Sequence, residues 1–423
     1  MSISVLKVGR DKTAFDLFVE QHPYGNLLQT SSWSQVKSNW QSHQLSFYRD
    51  QKLVACASVL IKTVIKNIRV AYVPRGPVVD YGDPELVKDV FKELKNYARK
   101  EKYLLLKCDP NVLFDREDLK QTAHCQQLIE DFEKIGYSWT GLTLNLSDTI
   151  QPRFQANKYL SQDSFKDYQK HVNRLTKTAT KKGVEIIKGS EEEVKLFSEL
   201  VVRTEQRKNI HLRNYDYFEK IKTIYGNKAE FHFATINSDK QLAKQNERLL
   251  QLENALAETP EHQKNRLKEL GQQKASVLKQ IDELTVLSEN SPSQLIIAGV
   301  LGIRFASGIE LLYASMDERF KHYYPQYLLD TEIFKTCHQE GLSWANMGGV
   351  EGNLEGGLSV FKLSFKPTIE EYIGEFNLSA NQHLYHLGNN VYRIYKKLAK
   401  QINVSKKLIM EKSKIKISKP KWG

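Results

Sequence analysis

Two stretches of the chain, residues 45–110 and 229–350, carry the same succession of apolar and polar positions. In the first, Leu45–Tyr48 and a polar turn "RDQK" lead into "LVACASVLIKTV" and "IRVAYVPRGPVV", runs rich in Val, Ile and Tyr that predict strands. A helical segment "DPELVKDVFKELKNYARKEK" follows, and then the strand "YLLLKCDP". The second stretch has "AEFHFATI", "QLIIAGVLGIRF", a tight Ser307-Gly308 turn and "IELLYASMD". A helix near "YPQYLLDTEIFKTCHQEG" and the strand "LSWANMGGV" complete it. Hairpin, strand, helix, strand, occurring twice, predicts two α/β domains of one type.

The copies differ at their first hairpin turn. Where the first has four polar residues, the second inserts a long polar segment around residues 239–290. Leu242, Leu249, Leu252 and Leu256 keep 3–4 spacing there, as do Leu267, Leu270, Val277, Ile281 and Leu284, and Pro260 interrupts the run in "ETPEHQ". The pattern predicts an antiparallel helical hairpin zipped by a narrow leucine seam. Its surface is mostly polar, which favours contact with a macromolecule over filling a core; a dimerisation arm or a spacer is the alternative.

Further on, "GGLSVFKLSFKP" (356–367) places Lys362 and Lys366 inside an apolar run that reads as a strand. Either it is half-buried with its lysines in water, or Lys362 points into a site and meets a developing negative charge. The preceding "GGVEGNLEGG" lacks the spacing of a dinucleotide-binding loop and reads as a turn-rich loop at the mouth of a site.

Composition narrows the partners. The 423 residues carry a net charge of +12, with 40% hydrophobic and 10% aromatic residues, so large packed cores coexist with a basic surface suited to nucleic acid, anionic lipid or a phosphorylated substrate. From Tyr392 on, ten lysines and one arginine face the single acid Glu411. That tail suits an anionic membrane surface or a phosphate backbone, and equally a solubilising extension. Cys56, Cys108, Cys125 and Cys337 are scattered, without a disulfide or zinc pattern. The N-terminus has no apolar signal core, and the longest apolar run, 295–303, is too short for a bilayer; a cytoplasmic protein is expected. Phosphate-loop, serine-hydrolase and zinc-protease motifs are absent, and the eleven histidines show no ligand spacing.

"QTSSWSQVK", "YVPRGPVVD", "LLLKCDP" and "FKLSFKPTIEEYIGEF" occur in the order seen in the Fem family, and the chain resembles that family over roughly residues 3–395. These are aminoacyl-tRNA-dependent peptidyltransferases that build peptidoglycan interpeptide bridges. The resemblance implies two tandem acetyltransferase-like (GNAT) domains, 1–150 and 151–374, with an antiparallel coiled-coil insertion at 239–290 in the second. That insertion is similar to the tRNA-binding arm of seryl-tRNA synthetase. A C-terminal helix packing back on the first domain, plus the basic tail, would occupy 375–423.

The resemblance also assigns roles. Lys37 matches a lysine contacting the substrate's diphosphate, and Asp109 an acid lining the substrate cleft, at a strand end where α/β sheets place ligands. Arg213 and Tyr217, four apart and so on one face if helical, match a phosphate-binding arginine and its tyrosine partner, with Arg203 and Arg207 as rivals. Tyr313 matches a tyrosine near the sugar-peptide end of the substrate, and Phe361 with Lys362 the catalytic pair.

The implied reaction is attack by an amine of the stem peptide, or of a growing bridge, on the ester of an aminoacyl-tRNA carrying Ala, Ser or Gly. A fixed ammonium at Lys362 would hold the oxyanion. The proton acceptor stays open among Asp109, a substrate carboxylate and water. No cofactor is implied beyond aminoacyl-tRNA as co-substrate. The acceptor is a lipid-linked or UDP-linked muropeptide, with the tail placing the enzyme peripherally on the membrane's inner face. A non-catalytic tRNA-binding or membrane-docked scaffold is the alternative. An acetyltransferase using coenzyme A is a third reading, disfavoured because no clear pyrophosphate loop follows the relevant strands.

Overall fold

The computed structural model describes residues 4–7, 12–65, 68–116, 119–189, 193–208, 213–290 and 294–379. From residue 380 on, the expected C-terminal helix and basic tail lie outside the described residues. The chain divides into two compact units, Met1–Arg153 with Glu371–Gly423, and Phe154–Glu370.

The first unit opens with β1 (Ser4–Lys7), α1 (Thr13–Gln21) and α2 (Ser31–Val36). Strands β2 (Gln41–Arg49), β3 (Lys52–Ile65) and β4 (Ile68–Val73) then form an antiparallel run, with the short β5 (Val78–Val79) against β3. Helix α3 (Pro84–Lys100) starts where Asp83 accepts a hydrogen bond from the amide of Leu86 at 3.0 Å. It buries Leu86, Val90, Phe91 and Leu94, an i, i+4 stripe that packs it on the sheet. The chain returns as β6 (Leu105–Cys108), parallel to β4. After the hairpin β7 (Leu113–Arg116)–β8 (Leu119–Lys120), α4 (Thr122–Ile135) and β9 (Ser138–Trp139) close this part of the unit.

The second unit contains β10 (Phe154–Tyr159), α5 (Lys170–Lys181), β11 (Val184–Lys188), α6 (Glu193–Lys208) and α7 (Tyr215–Tyr225). Next come β12 (Ala229–Asn237), α8 (Ser238–Glu258), α9 (Lys264–Asn290), β13 (Gln294–Phe305) and β14 (Gly308–Met316). Helix α10 (Pro325–Gln339), β15 (Trp344–Val350) and α11 (Gly357–Leu363) follow. β12, β13 and β14 pair antiparallel, and β15 lies parallel to β14 after α10. This repeats β2–β3–β4, α3, β6 and is the tandem acetyltransferase-like arrangement. The chain then passes through β16 (Thr368–Tyr372) to β17 (Phe376–Ser379), which pairs with β6 and β9 in the first unit's sheet.

Between β12 and β13, α8 and α9 run antiparallel: Lys274 bonds Glu253 at 2.9 Å, and Ser288 bonds Asp239. Leu252, Leu270 and Val277 are buried along the seam, flanked by Leu249, Leu256 and Ile281. No helix among the described residues is long and apolar enough to cross a membrane.

One expected element is corrected. Residues 357–363 form a helix, not a strand. In a strand Val360 and Lys362 would share one face, yet Val360 is 59% exposed while Lys362 is 8% exposed. Phe361 and Phe365 are the anchors, packed on Tyr327 of α10 at ring distances of 5.0 and 5.9 Å. A helix turns residues two apart, such as Val360 and Lys362, to opposite sides, which the two-residue repeat of a strand does not.

Candidate active site

The second unit encloses a cavity of about 360 Å³ whose lining includes Leu311, Ala314 and Met316 of β14, Met347 of β15, Gln326, Tyr327 and Asp330 of α10, and Phe361 and Lys362 of α11. Its position follows from the sheet. β14 and β15 pair in parallel only from Gly308↔Trp344 to Glu310↔Asn346. Past that point the two strands part, and their C-terminal halves flank an opening of the kind α/β sheets use for ligands.

Lys362 occupies the last turn of α11, and its Nζ donates to the carbonyl of Gly349 at 2.8 Å. That carbonyl lies in β15 where its pairing with β10 shifts register between Asn157↔Asn346 and Gln155↔Gly349; Gly348 has φ +80 there and its amide bonds Asn346 Oδ1 at 2.8 Å. Gly348 thus supplies a left-handed backbone next to the ammonium. Burial pushes the Lys362 ammonium down to about 8, opposed by the nearby Asp330 carboxylate. Asp330 is a residue that sequence reasoning missed. It is 4% exposed, accepts a hydrogen bond from Gln326 Nε2 at 2.7 Å, and burial pushes its carboxyl up to about 7, opposed by Gln326 and Lys362. Its signal was available: in "QYLLDTEIF" an acid stands three and four residues before Ile333 and Phe334, on the apolar side of the helix.

Arg213, Tyr217 and Tyr313 come together at a second place in the same unit. Arg213 precedes α7 and does not share a helical face with Tyr217; its guanidinium carbon lies 4.9 Å from the Tyr217 ring centroid instead. The Tyr313 hydroxyl donates to that of Tyr217 at 3.2 Å, and the rings meet edge-on at 6.0 Å. The arrangement leaves an exposed guanidinium backed by two phenols, a site suited to an anion. Of the rivals, Arg203 is tied to Asp317 at 2.8 Å, where Arg319 also binds, and the side chain of Arg207 lies outside the described residues.

In the first unit, Lys37 caps the C-terminus of α2 with its Nζ 4.5 Å from the Trp33 ring centroid. Asp109 follows β6, buried, with both oxygens engaged: Oδ1 accepts from the Arg75 amide at 2.7 Å and Oδ2 from the Tyr72 hydroxyl at 3.0 Å. Burial pushes its carboxyl up to about 7, opposed by the Arg75 guanidinium. The Arg75 guanidinium carbon lies 4.1 Å from the Tyr372 ring centroid. Gly76 sits so close to Gln29 that a Cβ would meet its amide at 2.5 Å. The four sequence motifs therefore meet in space: Gln29, Tyr72, Arg75, Asp109 and Tyr372 form one contact network. Of the seven expected site residues, the structure joins Lys362 with Phe361 in one helix and Arg213 with Tyr217 and Tyr313 in one cluster, while Lys37 and Asp109 belong to the first unit, each among its own partners.

The FemAB family profile matches residues 11–393. A lipid II:glycine glycyltransferase of Staphylococcus aureus (strain bovine RF122 / ET3-1) is 26% identical over 418 residues, 93% of this chain and 97% of that protein. The enzyme of the same name from S. aureus strain USA300 is 25% identical over the same shares. The crystal structure of FemX superposes with a TM-score of 0.73 at 25% identity, covering 90% of this chain and 99% of that one. With the family matched over nearly its whole length, the chain belongs to the FemAB family and is an aminoacyltransferase.

Proposed function

We propose that the protein transfers one small amino acid, Gly, Ala or Ser, from aminoacyl-tRNA to an amine of lipid II, extending or starting the interpeptide bridge of peptidoglycan. The observation that carries the reading is the cavity where β14 and β15 part, with a buried ammonium on its wall. The S. aureus relatives, named lipid II:glycine glycyltransferases, support lipid II as acceptor and make glycine the first donor to test.

In the proposed step the acceptor amine attacks the ester carbonyl, and the Lys362 ammonium stabilises the oxyanion. Collapse breaks the ester bond, forms the amide and releases the terminal ribose hydroxyl of the tRNA, which ends with the proton the amine loses. The ester is already activated, so holding the two substrates in register accounts for much of the catalysis. Phe361, packed on Tyr327 and Phe365, fixes α11 and hence Lys362. The Arg213–Tyr217–Tyr313 cluster is assigned to the phosphates and sugar-peptide end of the acceptor; Lys37 and Asp109 are assigned to the acceptor as well.

The α8–α9 pair is assigned to tRNA. Because Asn237 and Gln294 are already paired across β12 and β13, a short Gly-Ser turn replacing 239–290 should leave the sheet intact and weaken tRNA binding alone. The deciding assay mixes the purified protein with lipid II and tRNA charged with Gly, Ser or Ala in turn, and reads the mass of lipid II. A mass gain with one charged tRNA and none with uncharged tRNA supports the reading; no gain with any of them refutes it.

A further inference from the structure

Helix α5 has two unlike sides. It buries Val172 and Ala179 against the unit and packs on α10, where His171 meets Tyr327 edge-on at 5.9 Å. On its other side Lys170, Arg174, Lys177 and Lys181 follow one another at spacings of four, three and four residues, all exposed. Such spacing aligns them along one face over about 16 Å. Among the described residues none of the four is paired with a carboxylate.

The line continues onto the helix pair. A groove of about 680 Å³ joins Lys181 and Lys182 to Lys244 and Arg248 of α8, with Glu247 as its one acid and four glutamines of α8 and α9 among its neutral wall residues. Cations alternating with neutral donors are what sugar-phosphate contacts use. At the α5 side of the groove, Lys182 donates to the carbonyl of His322 at 2.8 Å and sits 5.0 Å from the ring centroid of Tyr323. Lys321 and Tyr324, the residues flanking those two, line the cavity that holds Lys362. One short turn thus borders both the cationic groove and the cavity.

We propose that the α5 stripe and the groove at the base of α8–α9 form a track for the phosphate backbone of RNA, leading its 3′ end along the 321–324 turn into the Lys362 cavity. This rests on aminoacyl-tRNA being the donor and extends it, because the α5 stripe and the 321–324 turn lie outside the helix pair already assigned to tRNA. An acidic lipid surface would also be drawn to cations, but a line of charges ending beside a cavity fits a ligand with one end to deliver.

The test titrates an uncharged tRNA transcript with full-length protein at salt from about 50 to 200 mM, where each phosphate contact adds about 0.9 to the slope of log affinity on log salt. Lys170→Gln/Arg174→Gln/Lys177→Gln/Lys181→Gln should lower that slope by roughly three to four, so that over this range the parent loses roughly a hundredfold more affinity than the variant. Lys92→Gln/Arg99→Gln/Lys100→Gln/Lys102→Gln removes the same charge from the exposed side of α3 and just beyond it, and should change the slope little. An unchanged slope in the α5 variant, or an equal fall in the α3 variant, overturns the track. So does a loss of binding to phosphatidylglycerol vesicles without loss of tRNA binding. Glycyl transfer to lipid II by the parent, measured alongside, separates the two claims: transfer with an unchanged slope removes only the track, whereas no transfer from any charged tRNA removes the donor assignment on which it rests.

Discussion

Lys362→Met separates a catalytic ammonium from a packing residue, because the structure assigns opposite signs to its effects on rate and on stability. Burial holds the ammonium at about 8 instead of 10.5. At about 1.4 kcal/mol per unit, keeping it charged in the fold costs about 3 kcal/mol. The folded value lies below the unfolded one, so this penalty is fully present below pH 8 and is relieved as pH rises toward 10.5. Methionine fills a similar volume without charge, but leaves the Gly349 carbonyl without its donor, a loss of about 1–3 kcal/mol. The two terms nearly offset, and the melting temperature at pH 7 should stay within a few degrees of the parent, rising if it moves.

The rate should behave differently. Removing one oxyanion donor lowers kcat by about 10²–10³, while dissociation constants for lipid II and tRNA stay the same, since the lost contact forms fully only in the transition state. The assay is single-turnover transfer at saturating substrate, followed by the mass of lipid II from pH 6 to 10. Dividing the parent's rate by the variant's at each pH cancels the titration of the acceptor amine; the ratio should fall as pH rises through 8. Lys366→Met, one turn on and exposed, should be silent. A kcat for Lys362→Met within threefold of the parent, or a lost rate accompanied by a melting temperature more than ten degrees lower, would refute the reasoning.

Asp330→Asn should move the alkaline limb of that profile below pH 8 and lower the rate at pH 8, yet change it little at pH 6, where the parent's carboxyl is itself protonated; a limb that stays in place refutes the coupling. Arg213→Ala should raise KM for lipid II roughly ten- to a hundredfold, one charge-assisted contact being worth about 1.5–3 kcal/mol. Arg203→Ala should instead lower the melting temperature by loosening Asp317, and a KM effect there in place of Arg213 would reverse the assignment. Asp109→Ala should destabilise by about 1–3 kcal/mol for each buried donor it strands, Arg75 N and Tyr72 Oη, whereas Asp109→Asn should fold nearly as well. Because the parent's carboxyl is held up at about 7, its stability should decline from pH 4 to 7 relative to Asp109→Asn, a difference read from urea midpoints.

Patterns with many repeats of one period were legible in the chain. The strands of both units declared themselves by long apolar runs, α3 by its Leu86–Val90–Leu94 stripe, and the α8–α9 pair by leucines that do meet along one seam. Element 357–363 was not, because seven residues fit both periods and the choice fell to the distant Tyr327 of α10, which Phe361 meets edge-on and on which Phe365 stacks. Gly356 before it and Pro367 after it were the local marks of a short helix. The Arg213–Tyr217 contact was expected for the wrong reason: spacing of four suggested a helix face, while the guanidinium reaches the ring from outside the helix. Pairing of β17 with β6 joins residues more than two hundred and fifty apart, and no local period encodes it.

The charges of the second unit fall into two physical classes, and salt distinguishes them. Lys170, Arg174, Lys177 and Lys181 are exposed and act through solvent, where the Debye length falls from about 10 Å at 0.1 M salt to about 3 Å at 1 M. Lys362 lines a cavity together with Asp330, where mobile ions screen far less. If both classes work as assigned, raising salt weakens capture of the donor and leaves the bound step alone. kcat/KM for aminoacyl-tRNA should then fall steeply with salt, while kcat at saturating donor stays level. Lys362→Met should show the same steep dependence from a lower starting point. The α5 variant should show a shallower one with kcat unchanged. A kcat that falls in parallel with kcat/KM would mean that the surface cations act in the chemical step and not in delivery, and the division drawn here between track and cavity would not stand.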